Sequence, residues 1–502
     1  MGSRYALRLS DLVGETMATA RAEYDVEIVG LTCDSRAVRP GFLFAALPGS
    51  TTDGAGFIAD AARNGAAALL GSPGTLPLAR DANLPLIEDE DPRRRYALLA
   101  ARFYQRQPNI VAAVTGTNGK TSVVSFARQI WGALGNRAAS IGTLGVSAPG
   151  FEGGAGLTTP DSADLHRTLA DLADAGINYL AIEASSHGLA QSRTDGVRLT
   201  AAAFTNLSRD HLDYHGDEES YFQAKARLFE DLLPRQGAAV LNADSPTFDR
   251  LTEIARRRGQ RIVSFGAFAA DRIPDIALVS ARPSGDRQLL TVAIGDRRLD
   301  VDIALVGEFQ VSNLLCALAL VIACGADAEI AVATLATVHG VPGRLERVAR
   351  RANDAAIFVE YAHSPDALAA ALAALRPSVA GRLHVLFGCG GDRDRGKRPQ
   401  MGAIAAAGAD RIIVTDDNPR GEDPSAIRAA IVARCAGAVE IADRGEAIRI
   451  AIADLGAGDI LLIAGKGHET GQIIGAQTIP FDDADHARTA VAELDIDEGA
   501  RS

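Results

Sequence analysis

The sequence is poor in the features that mark several protein classes. Its 502 residues include only five cysteines, which are scattered and form no Cys-x-x-Cys pair, so neither a disulfide framework nor a zinc site is expected. The longest apolar run extends from Leu314 to Ala326, whereas a membrane helix needs about 20 residues. The first residues lack the apolar segment and the cleavage site of a signal peptide. We therefore expect a soluble, cytoplasmic protein without membrane insertion.

An excess of positive charge is also missing. Lysine and arginine number 51 against 63 aspartate and glutamate residues, and the resulting net charge of −12 argues against nucleic acid as a partner. The hydrophobic share of 47% and the charged share of 23% are typical of a globular protein. At about 150 residues per domain, the length suggests three domains. We expect a monomer.

The chain alternates between apolar, strand-like runs and alanine-rich helical stretches. This alternation is typical of an α/β fold with mainly parallel sheets. A charged helix at 91–106 leads into a strand at 110–115, and Pro342 and Gly343 end a helical region before a strand at 356–359. The sequence therefore predicts three domains, with the bounds 1–108, 109–343 and 344–502.

A glycine-rich loop follows the strand at 110–115 directly and opens an apolar helix. In that setting the backbone N–H groups and the helix N-terminus face a phosphate group, and Lys120 reaches the outer phosphates of ATP. The hydroxyl of Thr121 would bind Mg²⁺. We predict an ATP site formed by Gly116, Thr117, Asn118, Gly119, Lys120, Thr121 and Ser122.

Other classes of phosphate-loop protein fit less well. A GTPase would carry an Asn-Lys-x-Asp motif, which the sequence lacks, and a motor ATPase would have an aspartate after the next strand, where Glu183 stands. A switch or motor driven by ATP remains an alternative that a turnover assay would separate, because such a protein hydrolyses ATP without a second substrate.

Acidic and imidazole side chains follow the next two apolar strands. Glu183 ends the strand at 180–183, and His211 comes soon after the strand at 201–206. Because the carboxyl ends of parallel strands form the ligand-binding edge of an α/β sheet, these groups would lie beside the phosphates. Oxygen-rich ligation suits Mg²⁺, so the pattern predicts a magnesium site there.

Three motifs together resemble the Mur ligase family: GTNGKTS at 116–122, SRDHLDYHGD at 208–217 and DNPR at 417–420. The resemblance covers nearly the whole chain. It implies an α/β fold of three domains: a small UDP-binding domain, a central ATPase-like domain with a parallel sheet, and a C-terminal Rossmann-like domain. Members of the family use ATP to join an amino acid to a carboxylate, through an acyl phosphate.

The resemblance also assigns roles in the central domain. It implies that Lys120, Lys225 and His211 are catalytic and that Asn313 contacts the nucleotide. Spacing alone would place Lys225 on a helix surface, but its family counterpart is carbamylated by CO₂, and the resulting anion binds a second Mg²⁺. The implied metal ligands are Thr121, Glu183, His211 and carbamylated Lys225.

The substrate implied by the resemblance is the UDP-muramoyl dipeptide UDP-MurNAc-L-Ala-D-Glu, an intermediate of cytoplasmic peptidoglycan synthesis. The residues that match the family's contacts to it are Ser35, Thr158, Thr159, Ser185, Gln191 and Arg193.

Three loops of the last domain follow strands, at 388–397, 416–420 and 465–469. Their arginines suit carboxylates and their acidic groups suit ammonium ions, so together they predict a site for a zwitterion. DNPR resembles the motif of Mur ligases that add meso-diaminopimelate, and lysine-adding relatives lack its arginine. A lysine-adding Mur ligase and a ligase like folylpolyglutamate synthetase remain alternatives. The implied diaminopimelate-binding residues are Arg393, Asp417, Asn418, Pro419, Arg420, Gly465 and Glu469.

Overall fold

The computed structural model describes residues 5–14, 25–49, 52–152, 157–270, 272–284 and 287–499. Residues 1–4, on which the signal-peptide argument partly rests, lie outside this part of the chain. The backbone divides into two compact units. One unit comprises residues 1–276 with 316–331, and the other comprises 277–315 with 332–502.

The first unit begins with a small α/β region built on a parallel sheet. Its elements are β1 (Leu7–Arg8), α1 (Leu9–Val13), β2 (Glu27–Ile28), β3 (Gly30–Thr32), β4 (Phe42–Ala46), α2 (Ile58–Arg63), β5 (Ala66–Gly71), α3 (Leu76–Asp81), β6 (Leu86–Glu88) and α4 (Pro92–Tyr104). The four strands β3, β4, β5 and β6 lie side by side in that order and run parallel. Apolar clusters cover both faces of the sheet, which explains why β4 is an unbroken apolar run.

The rest of the first unit is a larger α/β region. Its elements are β7 (Ile110–Thr115), α5 (Lys120–Ala133), β8 (Ala138–Gly142), β9 (Gly145–Ala148), β10 (Phe151–Glu152), α6 (Ser162–Asp174), β11 (Tyr179–Glu183), α7 (Ser186–Ala190), β12 (Ala201–Phe204), α8 (Leu212–His215), α9 (Glu218–Arg227), β13 (Ala238–Asn242), α10 (Phe248–Arg258) and β14 (Arg261–Ala267). The sheet order is β10-β9-β8-β11-β7-β12-β13-β14, and the strands from β8 to β14 in this order are parallel. The carboxyl ends of β7, β11 and β12 therefore meet at one edge, where a ligand site is expected.

The second unit begins with antiparallel strands. Its first elements are β15 (Ile276–Ser284), β16 (Arg287–Ile294), β17 (Arg297–Ile303), α11 (Glu308–Ala323) and α12 (Ala328–Thr334). The end of α11 and the start of α12 belong to the first unit. A two-residue turn joins β16 to β17, and its Gly295 has a φ of +59°, a conformation that glycine adopts readily. Most of the apolar run Leu314–Ala326 lies on α11, and the run is largely buried.

The remainder of the second unit is a Rossmann-like α/β domain. Its elements are β18 (Glu346–Arg350), β19 (Ala356–Glu360), α13 (Pro365–Leu375), β20 (Leu383–Phe387), α14 (Lys397–Gly408), β21 (Arg411–Val414), α15 (Pro424–Val432), β22 (Val439–Glu440), α16 (Arg444–Ala453), β23 (Ile460–Ala464), β24 (Gly471–Ile474), β25 (Gln477–Pro480) and α17 (Asp483–Gly499). The sheet order is β18-β19-β23-β20-β21-β22, parallel except for the edge strand β18, and β24 and β25 form a separate hairpin. The three predicted amino-acid loops follow β20, β21 and β23, so all leave the same edge of this sheet.

Two findings concern the cysteines and the lengths of the helices. All five cysteines are free thiols. Within the described ranges, no helix combines the length and the apolar character that crossing a bilayer would require. The predicted α/β fold is confirmed, whereas the bounds of the three predicted domains stay a prediction.

Candidate active site

The phosphate loop lies between β7 and α5, as predicted. Gly119 stands just before α5 with a φ of +86°, and a Cβ atom on Gly116 would collide with the hydroxyl of Thr205. Glycine at both positions therefore has a steric cause. The ammonium group of Lys120 donates hydrogen bonds to the carbonyls of Gly116 (2.9 Å) and Thr117 (2.8 Å), which holds the cation over the loop.

Residues after β12 hold this loop in place, and this role was not predicted from the sequence. The backbone N–H of Asn118 donates to Oδ1 of Asn206 (3.0 Å), and that of Thr117 donates to the Asn206 carbonyl (2.8 Å). The Thr117 hydroxyl accepts from the N–H of Ser208 (3.0 Å) and lies 3.2 Å from the hydroxyl of Tyr221. The loop conformation thus depends on a neighbouring strand, a long-range dependence with no local sequence signal.

Lys225 is buried beneath the phosphate loop, and is not the surface lysine that helix spacing alone suggests. Its residue is only 1% exposed, its Nζ donates to the carbonyl of Gly116 (2.7 Å), and it lies 4.4 Å from the centre of the Tyr221 ring. Burial, reinforced by the positive charge of Lys120, holds the pKa of Lys225 well below its usual value. Burial and the charge of Lys120 therefore both favour the uncharged amine over the ammonium form.

The predicted metal ligands supply mostly oxygen atoms. The buried carboxylate of Glu183 accepts a hydrogen bond from the N–H of Thr143 (2.9 Å), and the Thr121 hydroxyl is buried at the start of α5. His211 is exposed, with its Nε2 3.5 Å from the carboxylate of Asp210. The described residues contain no preformed cluster of three His, Cys, Asp or Glu side chains. This sparse oxygen set fits Mg²⁺, which usually takes one or two protein carboxylates and completes its shell with water and substrate phosphates.

Most residues predicted to bind the UDP-muramoyl dipeptide converge beside β11. The hydroxyl of Thr159 accepts from the N–H of Ser185 and lies 3.0 Å from the Ser185 hydroxyl. The guanidinium of Arg193 donates to the carbonyl of Thr159 (2.8 Å) and to Oε1 of Gln191 (2.7 Å). Burial lowers the pKa of Arg193. Four of the predicted residues therefore form one hydrogen-bonded group.

The two other residues predicted to bind the dipeptide, Thr158 and Ser35, are not among these four. The hydroxyl of Thr158 is 3.0 Å from that of Thr143. Ser35 lies on a short 3-10 turn, Ser35–Ala37, in the first region of the chain, and its carbonyl accepts from Nδ2 of Asn64 (2.9 Å). Ser35 shares no hydrogen bond with the group beside β11, so its contribution to the same substrate site stays a prediction.

The loops after β20, β21 and β23 converge, as predicted. The guanidinium of Arg420 donates from Nη1 to the carbonyls of Gly391 (2.9 Å) and Asn418 (3.4 Å), which joins the first two loops. The side-chain amide of Asn418 donates to Oε2 of Glu469 (2.8 Å), which joins the second and the third. Asp417 and Asn418 are buried, whereas Arg420 and Glu469 are half-buried. The pocket thus presents both cationic and anionic groups.

The remaining predicted residues of this pocket, Arg393, Pro419 and Gly465, have different roles in it. Arg393 is exposed, and its Nη1 donates only weakly to the carbonyl of Asp392 (3.4 Å). The carbonyl of Pro419 accepts from the N–H of Glu422 (3.1 Å). Gly465 has a φ of +114° at the end of β23, which favours glycine. Arg393 is therefore available to a ligand, whereas Pro419 and Gly465 shape the backbone.

A hairpin that was not predicted from the sequence closes one side of this pocket. The N–H of Arg420 donates to the carbonyl of Ile473 (3.0 Å), and the Arg420 carbonyl accepts from the N–H of Gly475 (2.8 Å). Nε2 of Gln472 donates to the carbonyl of Asp417 (2.7 Å). The β24–β25 hairpin thus clamps the DNPR backbone. Its residues give no local signal, because these bonds join segments far apart in the chain.

Asn313, predicted to contact the nucleotide, lies on α11 in the second unit. Its Nδ2 is 3.3 Å from Oε1 of Gln310, whose own amide donates to the carbonyl of Arg344 (2.7 Å). The nucleotide contact stays a prediction.

Three family models match successive parts of the chain. They are described as the Mur ligase family catalytic domain, which matches residues 27–104, the Mur ligase middle domain, which matches 114–321, and the Mur ligase glutamate ligase domain, which matches 343–467. A curated relative from Bradyrhizobium diazoefficiens is 51% identical over 487 residues, which are 97% of this chain and 99% of the relative. The chain belongs to the Mur ligase family.

That relative is named UDP-N-acetylmuramoyl-L-alanyl-D-glutamate–2,6-diaminopimelate ligase. Solved structures agree with the family. This Mur ligase matches a structure of a protein with the same name at a TM-score of 0.71 and 33% identity, over 97% of this chain and 99% of that one. It also matches a MurF ligase from Thermotoga maritima in complex with ADP, at a TM-score of 0.61 and 17% identity, over 98% of this chain and 100% of that one. The second match is informative about the fold alone.

Proposed function

We propose that this chain is an ATP-dependent ligase that adds meso-diaminopimelate to the γ-carboxylate of D-Glu in UDP-MurNAc-L-Ala-D-Glu, in cytoplasmic peptidoglycan precursor synthesis. The observation that carries the proposal is the convergence of Arg420, Asn418 and Glu469 in one pocket. Diaminopimelate has an ammonium and a carboxylate group at each end, so a pocket with arginine and acidic side chains suits it. The name of the 51%-identical relative supports the same substrate.

The chemistry follows from the proposed substrates. The γ-carboxylate of D-Glu attacks the γ-phosphate of ATP, which gives an acyl phosphate and ADP. The amine of diaminopimelate then attacks the acyl carbon; an amide bond forms, inorganic phosphate leaves, and the amine loses its proton. No protein nucleophile is needed, so the residues contribute by positioning and by electrostatic stabilisation. Lys120, held over the loop by two carbonyls, offsets the negative charge that gathers on the transferred phosphoryl group.

Magnesium would be held by Thr121, Glu183, His211 and carbamylated Lys225. When bound, the metal supplies positive charge that neutralises the phosphate oxygens. The buried carboxylate of Glu183 and the hydroxyl of Thr121 are suitable oxygen donors at the start of α5 and the end of β11.

The environment of Lys225 supports its carbamylation. Only an uncharged amine reacts with CO₂, and the lowered pKa of Lys225 favours that form. The amine nitrogen bonds to the carbon of CO₂ and one proton leaves, which gives a carbamate anion. The nearby ammonium of Lys120 repels a protonated Lys225 but attracts the carbamate, so the modification removes an unfavourable interaction.

Product analysis by mass spectrometry tests the proposal. The full-length protein is incubated with ATP, Mg²⁺, UDP-MurNAc-L-Ala-D-Glu and meso-diaminopimelate, and the expected product has the combined mass of the two joined substrates less one water. The Lys120→Ala variant is the control, and it should form no product while it melts at the same temperature as the wild type. A wild-type protein that forms no such product overturns the proposal.

A further inference from the structure

Lys466 is a buried cation whose role the phosphate chemistry does not explain. Lysine is rare in this chain: of 51 basic residues only four are lysines, namely Lys120, Lys225, Lys397 and Lys466. Lys120 and Lys225 donate hydrogen bonds to carbonyls of the phosphate loop. The Lys466 residue is 0% exposed, and it lies directly after Gly465, one of the residues predicted to bind the amino acid.

The ammonium group of Lys466 joins three segments of the amino-acid pocket. Its Nζ donates to the carbonyl of Gly471 at the start of β24 (2.6 Å), to Oε2 of Glu469 (3.1 Å) and to Oδ1 of Asn418 (3.2 Å). A burial this complete normally destabilises a charge, but three acceptors compensate for the lost water. The cation is therefore built into the pocket wall and does not face the ligand space.

These contacts fix the orientation of the Asn418 amide. Lys466 is a donor only, and the backbone N–H of Ile473, 2.9 Å away, is also a donor only. Both approach the same amide atom of Asn418, which must consequently be the oxygen. The amide nitrogen then faces Glu469 and donates to its Oε2 (2.8 Å). The oxygen of Asn418 is thus committed to the protein and unavailable to a substrate.

The same contacts leave one side of Glu469 unused. Its Oε2 accepts from both Asn418 and Lys466, whereas the described part of the chain gives its Oε1 no hydrogen bond. An ammonium group of the amino acid has in Oε1 a carboxylate oxygen whose position is already fixed. Preorganised groups of this kind bind more tightly because less motion is lost on binding.

We propose that Lys466 is a positioning residue for the amino-acid substrate: it locks Asn418 and Glu469 into the one arrangement that presents Glu469 to a substrate ammonium group. The inference rests on the proposed function. Lys466 does not touch the substrate, so its removal should weaken amino-acid binding through Glu469 and leave the ATP and UDP-muramoyl dipeptide sites, which belong to other domains, unaffected.

Steady-state kinetics of the full-length Lys466→Met variant provide the test, with each of the three substrates varied in turn. We expect the KM for meso-diaminopimelate to rise about tenfold or more, the effect of one lost charge-assisted hydrogen bond. The KM values for ATP and the dipeptide should change less than twofold. Arg351→Met is the matched control, because Arg351 is equally buried and paired with Asp495, but lies before β19, at the opposite edge of the sheet from the pocket. It should lower the melting temperature and leave the diaminopimelate KM unchanged.

Two further variants separate positioning from simple destabilisation. In a Glu469→Gln background, Lys466→Met should raise the diaminopimelate KM by much less than it does alone. The reason is that both substitutions disrupt the same interaction, the one between the positioned Glu469 carboxylate and the substrate ammonium group. Asn418→Asp keeps an acceptor for Lys466 but cannot donate to Glu469, so it should raise the same KM even if Lys466→Met fails to fold.

The outcomes are distinguishable. A wild-type protein that does not use diaminopimelate overturns the proposed function and this inference with it. A wild-type protein that uses it, with an unchanged diaminopimelate KM in Lys466→Met and in Asn418→Asp, overturns the inference alone. Equal increases in all three KM values also overturn it, because they indicate a general loss of structure. Independent effects of Lys466→Met and Glu469→Gln overturn it as well, because they show that Lys466 does not act through Glu469.

Discussion

Replacement of Arg420 by alanine should raise the KM for meso-diaminopimelate steeply without disturbing the loop that carries it. The backbone of Arg420 is held on both sides, by the carbonyl of Ile473 and the N–H of Gly475, and neither bond involves the side chain. Its φ of +52° is as unfavourable for alanine as for arginine, so the substitution adds no backbone strain. The perturbation is therefore confined to the guanidinium and to the two hydrogen bonds that it donates to the carbonyls of Gly391 and Asn418.

The size of the expected increase in KM follows from the hydrogen-bond donors that the Arg420 guanidinium leaves free for the substrate. Nη1 is engaged by the carbonyls of Gly391 and Asn418, which aims the fork, and a substrate carboxylate would take the remaining donors. A hydrogen bond to a charged group contributes about 1.5–3 kcal/mol, which corresponds to roughly 10- to 150-fold in KM. A site built around a polar group can reject a substrate that lacks its partner by about 10⁴-fold, so L-lysine should be nearly inert with the wild type.

Initial rates with meso-diaminopimelate or L-lysine as the varied substrate measure both effects. Arg395→Ala is the matched control, since it removes the same charge from a neighbouring loop where the side chain is 74% exposed and paired with Glu422. The control should keep its diaminopimelate KM, and Arg420→Lys should restore little, because a point charge does not replace the fork. An unchanged diaminopimelate KM in Arg420→Ala, or equal use of lysine by the wild type, would refute this reasoning.

Three further outcomes are expected. Lys225→Ala should lose nearly all activity, and acetate or formate should restore part of it in rate assays, because the missing group is an anion; rescue by a small amine instead would contradict the carbamate. Arg444→Met should destabilise the protein by about 3–5 kcal/mol in urea unfolding, because it leaves the fully buried Asp483 unpaired. The control Arg376→Met breaks an exposed pair with Asp410 and should cost about 1 kcal/mol or less. Equal losses of stability in the two variants would contradict the burial argument. Burial and the nearby Arg344 lower the pKa of His468 to about 4, so below pH 6.5 the unfolded chain binds a proton at this residue and the folded chain does not. The melting temperature should therefore fall less between pH 6.5 and 5 in His468→Gln than in the wild type. Parallel curves of melting temperature against pH would contradict this pKa.

The sequence predicted the parts of the fold that have a local cause. The strand β7 has the predicted bounds, Ile110–Thr115, and α4 begins after Asp91, whose carboxylate caps the helix through the N–H of Arg94. The convergence of the amino-acid loops was also predictable, because parallel strands place their carboxyl ends at one edge. These features need only nearest-neighbour patterns and the rules of sheet topology.

What the sequence could not predict depends on contacts between distant segments. The helix that carries Lys225 has a polar composition, yet packing beneath the phosphate loop buries the lysine to 1% exposure. The hairpin that clamps Arg420 consists of two four-residue strands, of which β24 is mostly half-buried and β25 is exposed. Lys466 stands between two glycines with no local sign of burial, and its contacts with Asn418 and Glu469 depend on how distant segments pack.

Phosphate release measured with each substrate omitted in turn tests the proposed ligase activity most directly. The account predicts release of inorganic phosphate from ATP only when UDP-MurNAc-L-Ala-D-Glu and meso-diaminopimelate are both present, since the acyl phosphate is resolved by the amine. Release from ATP alone at a comparable rate would indicate a switch or motor and would contradict the account, as would release that is equally fast with L-lysine in place of diaminopimelate.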